Sequence, residues 1–450
     1  MSPRVRTGAA LAVLAAMLMV TGCARGIAAG GNGGADGGGE LAGRTIEVAG
    51  IWTGAEQRAF RTVLDAFERR TGATVRYTSG GDDLPALLNS RLAGGSPPDV
   101  ALLGQPGVVA QLARRGALAE LTGPAAEAVT ANYPEFWVEH GSVDGALYGV
   151  YYKVADKSVI WYRPEAFAEA GVQRPRTWQE LRRVTRALAD AGVGTMAVPG
   201  ADGWVLTDWF ENIYLRLAGP ERYDQLAAHE IPWTHPTVVE SLELLDDYWS
   251  ADRAIQDNPL QLTFVQAVAD VFGPAPKSSM IYEGDFVAAE VNRLGTVAVG
   301  EGARFFEWPS IDGSPPAVVV AGDQAVAFND GAHTMALIAF LASPEAAGIA
   351  AAQGGFLSAN RNLDRSVYPD PVTRQLADRV MEADVLRFDL SDLTPQAFGG
   401  GTDASMWRLL QEFLAGGLEP ADLAGRLEVA AQRDFAAAYE MAPPGAGDGR

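Results

Sequence analysis

The sequence predicts an α/β protein built as two domains, and three observations carry that expectation. Strand-like and helix-like segments alternate from residue 44 onward. The third strand-like segment, "PPDVALLG" (97–104), is apolar throughout, which marks a parallel sheet covered on both faces. The chain has 450 residues. Without its N-terminal leader about 400 remain, more than one core holds.

The elements follow in order. "RTIEVAG" (44–50) reads as the first strand. Phe60, Val63, Leu64 and Phe67 then recur at helical spacing, and Thr71 and Gly72 stop that helix. "ATVRYT" (73–78) is the second strand, with Val75 and Tyr77 on one face, and Leu84, Leu87, Leu88 and Leu92 mark the second helix. After the third strand, Val108, Val109 and Leu112 give a third helix that ends near Gly116. Sheets of this kind bind ligands at the carboxyl ends of their strands. Those ends are "GIWTGAEQ" (50–57), "SGGDD" (79–83) and "GQPG" (104–107).

The strand-like run at 146–165 is too long for one strand. "PRTWQEL" (175–181) holds a capping box of Thr177 and Glu180, so Trp178 is a packing residue. Helices are expected over 204–250. "SSMIYEGDFVAAEV" (278–291) reads as strand, glycine turn and helix. "RFFEWPSI" (304–311) and "AVVVAGDQAVAF" (317–328) are further strands. Helices follow at 333–352 and 404–417, the latter with Leu409, Leu410, Phe413 and Leu414 on one face. No internal repeat is present.

The N-terminus has its own logic. Arg4 and Arg6 precede an apolar run too short to span a bilayer, which is the pattern of a secretory signal. "VTGC" (20–23) resembles a bacterial lipobox, so residues 1–22 are expected to be removed and Cys23 to carry lipid. Cys23 is the single cysteine, and lipidation leaves no thiol for other chemistry. The glycine-rich stretch 23–43 is expected to be a tether. The body is therefore expected outside the cytoplasmic membrane, touching it only through the anchor. The net charge of −21 argues against nucleic acid and against docking on anionic lipid.

Catalytic patterns are weak. The four histidines are scattered, and no cysteine or acidic pattern frames a metal. "GPAPKSS" (273–279) lacks the second glycine of a phosphate loop and carries two prolines. No G-x-S-x-G elbow occurs. Carboxylates are abundant, but they are also the commonest surface residues, so a glycosidase pair is not singled out. No catalytic residue, metal or cofactor is expected.

Residues 44–120 resemble the first lobe of a bacterial extracellular solute-binding protein of the carbohydrate class, which serves an ABC sugar importer. The likeness rests on "IWTGAEQRAFRTVLDAFERRTGATVRYT" and "AGGSPPDVALLGQPGVVAQLARRGALAEL". It continues through "YGVYYKVADKSVIWYRPEAFAEAGVQRPRTWQEL" and "SSMIYEGDFVAAEV", and more loosely to Tyr439. "IWTGAEQ", "DDLPALL" and "GDFVAAE" are most similar to the α-glucoside-binding branch. The resemblance implies a periplasmic-binding-protein-like fold, with two α/β lobes joined by crossover hinge segments and a ligand cleft between them. It places lobe one at 44–153 and 310–357 and lobe two at 158–305 and 358–440, with a disordered tail at 441–450. The third crossing is then expected at 356–359. It also implies permease partners and a monomer.

The resemblance further implies which residues meet ligand. A sugar asks for two-oxygen acceptors, some donors and aromatic platforms. Trp52, Glu56 and Gln57 follow strand one, Asp82 and Asp83 strand two, and Gln105 strand three. Lys153 lies at the first crossing, where relatives commonly carry a carboxylate, so pairing with a cleft carboxylate is the alternative. Trp204, Asp208 and Trp209 fall where the family has an aromatic platform, as does Trp407. Glu283, Asp285 and Phe286 sit in "YEGDF", with phenylalanine where the family usually has tryptophan; Asp323 lies in "AGDQAV". Each has a plainer alternative: Glu56 at a helix dipole, Asp82 and Asp83 as caps, the tryptophans as core. Trp137, Trp161, Trp178, Trp233, Trp249 and Trp308 are assigned to packing or hinge. Competing functions are an exported glycosidase, a binder of polyamines or other small solutes on the same fold, and a sensor lobe.

Overall fold

The computed structural model describes residues 39–81, 84–401 and 403–440. Cys23, the signal segment, most of the tether, Asp82, Asp83 and the tail at 441–450 lie outside the described residues. The last tether residues belong to the body instead: the Leu41 amide donates to Thr71 O at 2.9 Å, and Leu41 packs on the core.

The first sheet begins as the alternating pattern requires. Strands β1 (Thr45–Gly50), β2 (Thr74–Ser79) and β3 (Val100–Leu103) are parallel, with β1 in the middle. All four residues of β3 are buried. A short hairpin, β4 (Ser142–Val143) and β5 (Ala146–Leu147), leads into β6 (Gly149–Asp156). The chain then leaves this sheet. Strand β7 (Val159–Tyr162) opens a second sheet with β8 (Met196–Ala197), β9 (Met280–Tyr282) and β10 (Arg304–Glu307), in the order β10-β7-β9-β8. So the long run at 146–165 is three strands, broken where the chain changes sheets.

The chain returns as β11 (Val318–Ala327), antiparallel to both β3 and β6, and ends its stay as β12 (Leu386–Phe388), parallel to β11. The first sheet is therefore mixed rather than wholly parallel. Its antiparallel member β11 is itself reached through the second sheet, so no right-handed crossover helix fixes its direction relative to β3 and β6.

The third crossing lies at Phe388 to Leu390, not at 356–359. Leu357 O accepts the Val154 amide on β6, and from the helix Pro371–Glu382 Arg379 Nε donates to Asp156 Oδ2 at the end of β6 (2.8 Å). Residues 358–388 therefore stay with the first sheet, because β12 still has β11 to pair with. Only beyond Asp389 does the chain join the second core, where Leu409, Leu410 and Phe413 pack.

All three crossings are bonded to one another. The Lys157 amide donates to Val319 O (2.9 Å), and the Asp389 amide donates to Val320 O (2.7 Å). Ser158 Oγ accepts the Val319 amide (2.8 Å) and donates to Asn212 Oδ1 (2.6 Å).

Candidate functional site

A cleft of about 720 Å³ opens at the carboxyl ends of β1, β2 and β3. Ile51, Gly81 and Gln105 line one wall, Trp204 and Trp407 the other, and Lys157 of the first crossing reaches into it. A smaller hollow of about 110 Å³ holds Trp52, Glu56 and Lys153.

The first wall is built on strand register. Lys153 on β6 and Asp323 on β11 are directly opposed, beside a bulge between Asp323 and Gln324. Opposed residues point to one face of the sheet, so ammonium and carboxylate are brought together. Lys153 Nζ donates to Glu56 Oε1 at 2.6 Å. Burial pulls the Lys153 ammonium down, but Glu56, Asp323 and Asp285 outweigh it and its pKa is raised. Burial pushes the Asp323 carboxyl up to about 6 against the pull of Lys153. Asp323 Oδ2 accepts the Trp52 indole N–H at 3.2 Å, and the Tyr77 hydroxyl donates to Trp52 O at 3.1 Å. Trp52 is only 4% exposed and packs edge-on against Phe60. It is mostly core, and its N–H orients an acid. Gln57 is half-buried on the helix Gly54–Thr71 and lines neither space.

Gln105 bridges the walls: its Nε2 donates to Gly400 O at 2.6 Å. This contact joins the end of β3 to the loop after the helix Gln396–Gly399.

The second wall is aromatic. Trp204 opens the helix Gly203–Ala218 and stays half-exposed while nearly all the rest of that helix is buried. Its ring lies 5.9 Å from Phe264 and 5.8 Å from Phe286. Two glycines make this approach possible. A Cβ on Gly203 would come within 2.6 Å of Trp407, and one on Gly284 within 2.5 Å of the Phe286 ring. The Trp407 indole N–H has no partner among the described residues. Phe286 backs Trp204 and is not itself among the cleft-lining residues.

Besides Gln57 and Phe286, four more expected contacts do not face the cleft. Trp209 is fully buried against Tyr248, Tyr282 and Trp308. Asp208 Oδ1 accepts Lys157 Nζ at 3.0 Å deep in the crossing region. Asp285 is 5% exposed, and its Oδ1 accepts the Asp156 amide at 2.8 Å, clamping the first crossing to the turn after β9. Glu283 is buried, with no hydrogen bond of good geometry to its oxygens among the described residues. Burial pushes Glu283 up to about 8 and Asp285 up to about 7, against the pull of Lys157 and Lys153 respectively. Each follows a cleft element in sequence, but the helix or turn aims it inward.

Lys157 is the centre that sequence reading missed. Its ammonium bonds Asp208 and Asp389 (2.6 Å) and sits 5.4 Å from the Trp204 ring centroid. Asp389 carries the charge of the pair. Its oxygens also accept Ser391 Oγ and the Asp392 amide, and these donors with Lys157 overcome burial and lower its pKa. Asp208 Oδ2 has no hydrogen-bond partner among the described residues, and burial raises that acid despite Lys157. Asp208, Glu211 and Asp389 hold carboxylate oxygens within 4.8 Å of one another. That set does not fit a metal, because Lys157 already lies between Asp208 and Asp389 and the Glu211 oxygens accept the Leu390 and Ser391 amides. The signal was a second lysine, four residues after Lys153, at the break in a largely apolar strand run. Asp202 and Asp392, which also line the cleft, and Phe264 gave no comparable signal.

The sequence profile described as "Bacterial extracellular solute-binding protein" matches residues 52–348. The chain is 33% identical over 386 residues to the osmoprotective compounds-binding protein GgtB of Synechocystis sp., covering 83% of this chain and 89% of that one. It is 32% identical over 410 residues to the alpha-glucosides-binding periplasmic protein AglE of Rhizobium meliloti, covering 87% and 88%. A solved chitin oligosaccharide binding protein has a TM-score of 0.75 at 20% identity, over 87% of this chain and 99% of that one. That identity speaks for the fold alone, which is two α/β lobes with a cleft between them. Profile, relatives and fold agree: the chain belongs to the bacterial extracellular solute-binding protein family.

Proposed function

We propose that the protein captures a sugar, of the α-glucoside or another di- or oligosaccharide class, and delivers it to an ABC importer without altering it. The observation that carries this reading is the pair Trp204 and Trp407, half-exposed in a cleft whose opposite wall offers Gln105. Flat rings meet the C–H faces of a sugar, and amides and acids meet its hydroxyls. The relatives named above, one an alpha-glucosides-binding protein, support the same class.

The polyamine reading fits less well. Lys157 lies beside Trp204 and Lys153 beside Glu56, so two ammonium groups already occupy places a cationic ligand would need. The glycosidase reading needs two carboxyls facing one bond. Glu283, Asp208 and Asp285 are instead buried or clamped, and of the acids that do line the cleft Asp202 is held by the Phe264 amide, which donates to its Oδ2 at 2.6 Å.

In this reading Cys23 carries the lipid, the body works as a monomer outside the membrane, and 44–153 with 310–388 moves as a unit against the rest. Among the described residues no single helix is long and apolar enough to cross a membrane. Calorimetry with a sugar panel, followed by analysis of the recovered sugar, tests the proposal. Saturable binding of an α-glucoside returned intact is expected. Release of glucose would replace the reading with a glycosidase. Binding of spermidine but no sugar, abolished by high salt, would replace it with a polyamine carrier.

A further inference from the structure

A second hollow, of about 1080 Å³, shares no lining residue with the cleft. It lies between the 172–176 loop, β10 and the return crossing at 308–317. Arg174, Arg176, Arg183 and Arg216 line it, with Glu180 and Glu307.

Arg216 is the unusual member. It is only 7% exposed, yet its guanidinium hydrogen-bonds neutral oxygens: Nη1 donates to Asn212 O (3.1 Å) and Oδ1 (3.0 Å), and Nη2 to Ala317 O (2.7 Å), while the group lies 5.9 Å from the Trp308 ring centroid. Among the described residues no carboxylate lies within ion-pair distance of it. Burying a charge without a paired opposite charge is unfavourable. The two acids in the hollow are already engaged. Glu307 pairs with Arg379 at 2.7 Å. Glu180 accepts the Arg176 amide at 2.7 Å and lies 3.8 Å from Arg183. Arg174 and Arg176 are exposed and make no ion pair among the described residues. Four arginines thus face two acids around one hollow, a local excess of positive charge on a protein of net charge −21.

We propose that this hollow is a second binding site, for a small phosphate-bearing molecule. Guanidinium groups present paired donors that match a tetrahedral oxyanion. Val172, Val184 and Phe306 on the same wall can receive the organic part of a phosphate ester. Burial lowers Arg216 to about 9, which still leaves it charged at neutral pH. Because Arg216 also holds Ala317 O, an occupant would brace the return crossing against the helix Gly203–Ala218.

Calorimetry at low ionic strength, with chloride-matched controls, tests the site using inorganic phosphate and glycerol 3-phosphate as probes. Saturable binding of either probe at one site per chain is expected. It should weaken at least tenfold in an Arg174→Ala/Arg176→Ala double variant, whose sites are exposed and whose fold should be kept. Sugar binding at the cleft is expected to be unchanged in that variant, which separates this proposal from the one above. The absence of saturable binding by both probes overturns it, as does binding that the double variant leaves undiminished.

Discussion

Trp204 and Trp209 sit on one helix, five residues apart, and meet different surroundings. Trp204 faces the cleft and Trp209 is sealed in the core. Trp204→Ala or Trp407→Ala should therefore weaken sugar binding by roughly 1–3 kcal/mol, by analogy with base stacking on aromatic rings. Trp209→Ala should instead cost about 3–5 kcal/mol of stability. Calorimetry beside urea unfolding separates the two, and a Trp204 variant that binds normally but unfolds early would make it a core residue. Asp285 gives a pH prediction. Its folded pKa is about 7 against an ordinary value of 3.8. Below 3.8 both states hold the proton and nothing is lost. As pH rises, the unfolded state ionises first, so stability falls until the folded group ionises near 7. Asn at 285 could still accept the Asp156 amide but would not ionise. Asp285→Asn should thus gain on the native protein between pH 5 and pH 8, by on the order of a few kcal/mol. Unfolding curves at the two pH values check this, and an unchanged difference would refute it.

At the scale of elements, strand register and crossing segments do the positioning. The opposition of β6 and β11 sets Lys153 against Asp323, and the first and third crossings bring Lys157 to Asp389. Lys157→Met would leave Asp208 and Asp389 buried without their ammonium. A loss of about 3–5 kcal/mol is expected at pH 8. The loss should shrink at pH 5, because the stranded acids can then take up protons. Urea midpoints measure it; a variant as stable as the native protein at both pH values would show that the network contributes little.

At the scale of the whole molecule, three crossings join the two sheets and bond to one another, so they can flex together while each sheet stays rigid. Contacts from both walls are made only when the cleft is narrow, so a ligand must favour that state by its differential affinity. Ligand should reduce the radius of gyration in solution scattering and raise the melting temperature with concentration. A tightly bound sugar that leaves the scattering unchanged would rule out closure. Cys23→Ser should abolish incorporation of labelled fatty acid, and persistent label would remove the anchor assignment.

The sequence by itself determined the alternating elements, the three strand ends that line the cleft and the packing role of six tryptophans. These are local properties: periodicity, apolar runs and glycine stops fix them without reference to distant residues. Trp204 and Trp407 were also legible, because motif likeness placed them and the helix face of Trp407 already had its core residues. Tertiary structure decided the rest. That residues 358–388 stay with the first sheet depends on β12 finding β11, a pairing of residues 68 apart in sequence (Val318 with Leu386) that no local pattern encodes. That Asp208, Glu283 and Asp285 turn inward depends on which crossing lies beneath them. An acid followed by a helix reads the same in sequence whether water or a buried lysine awaits its side chain.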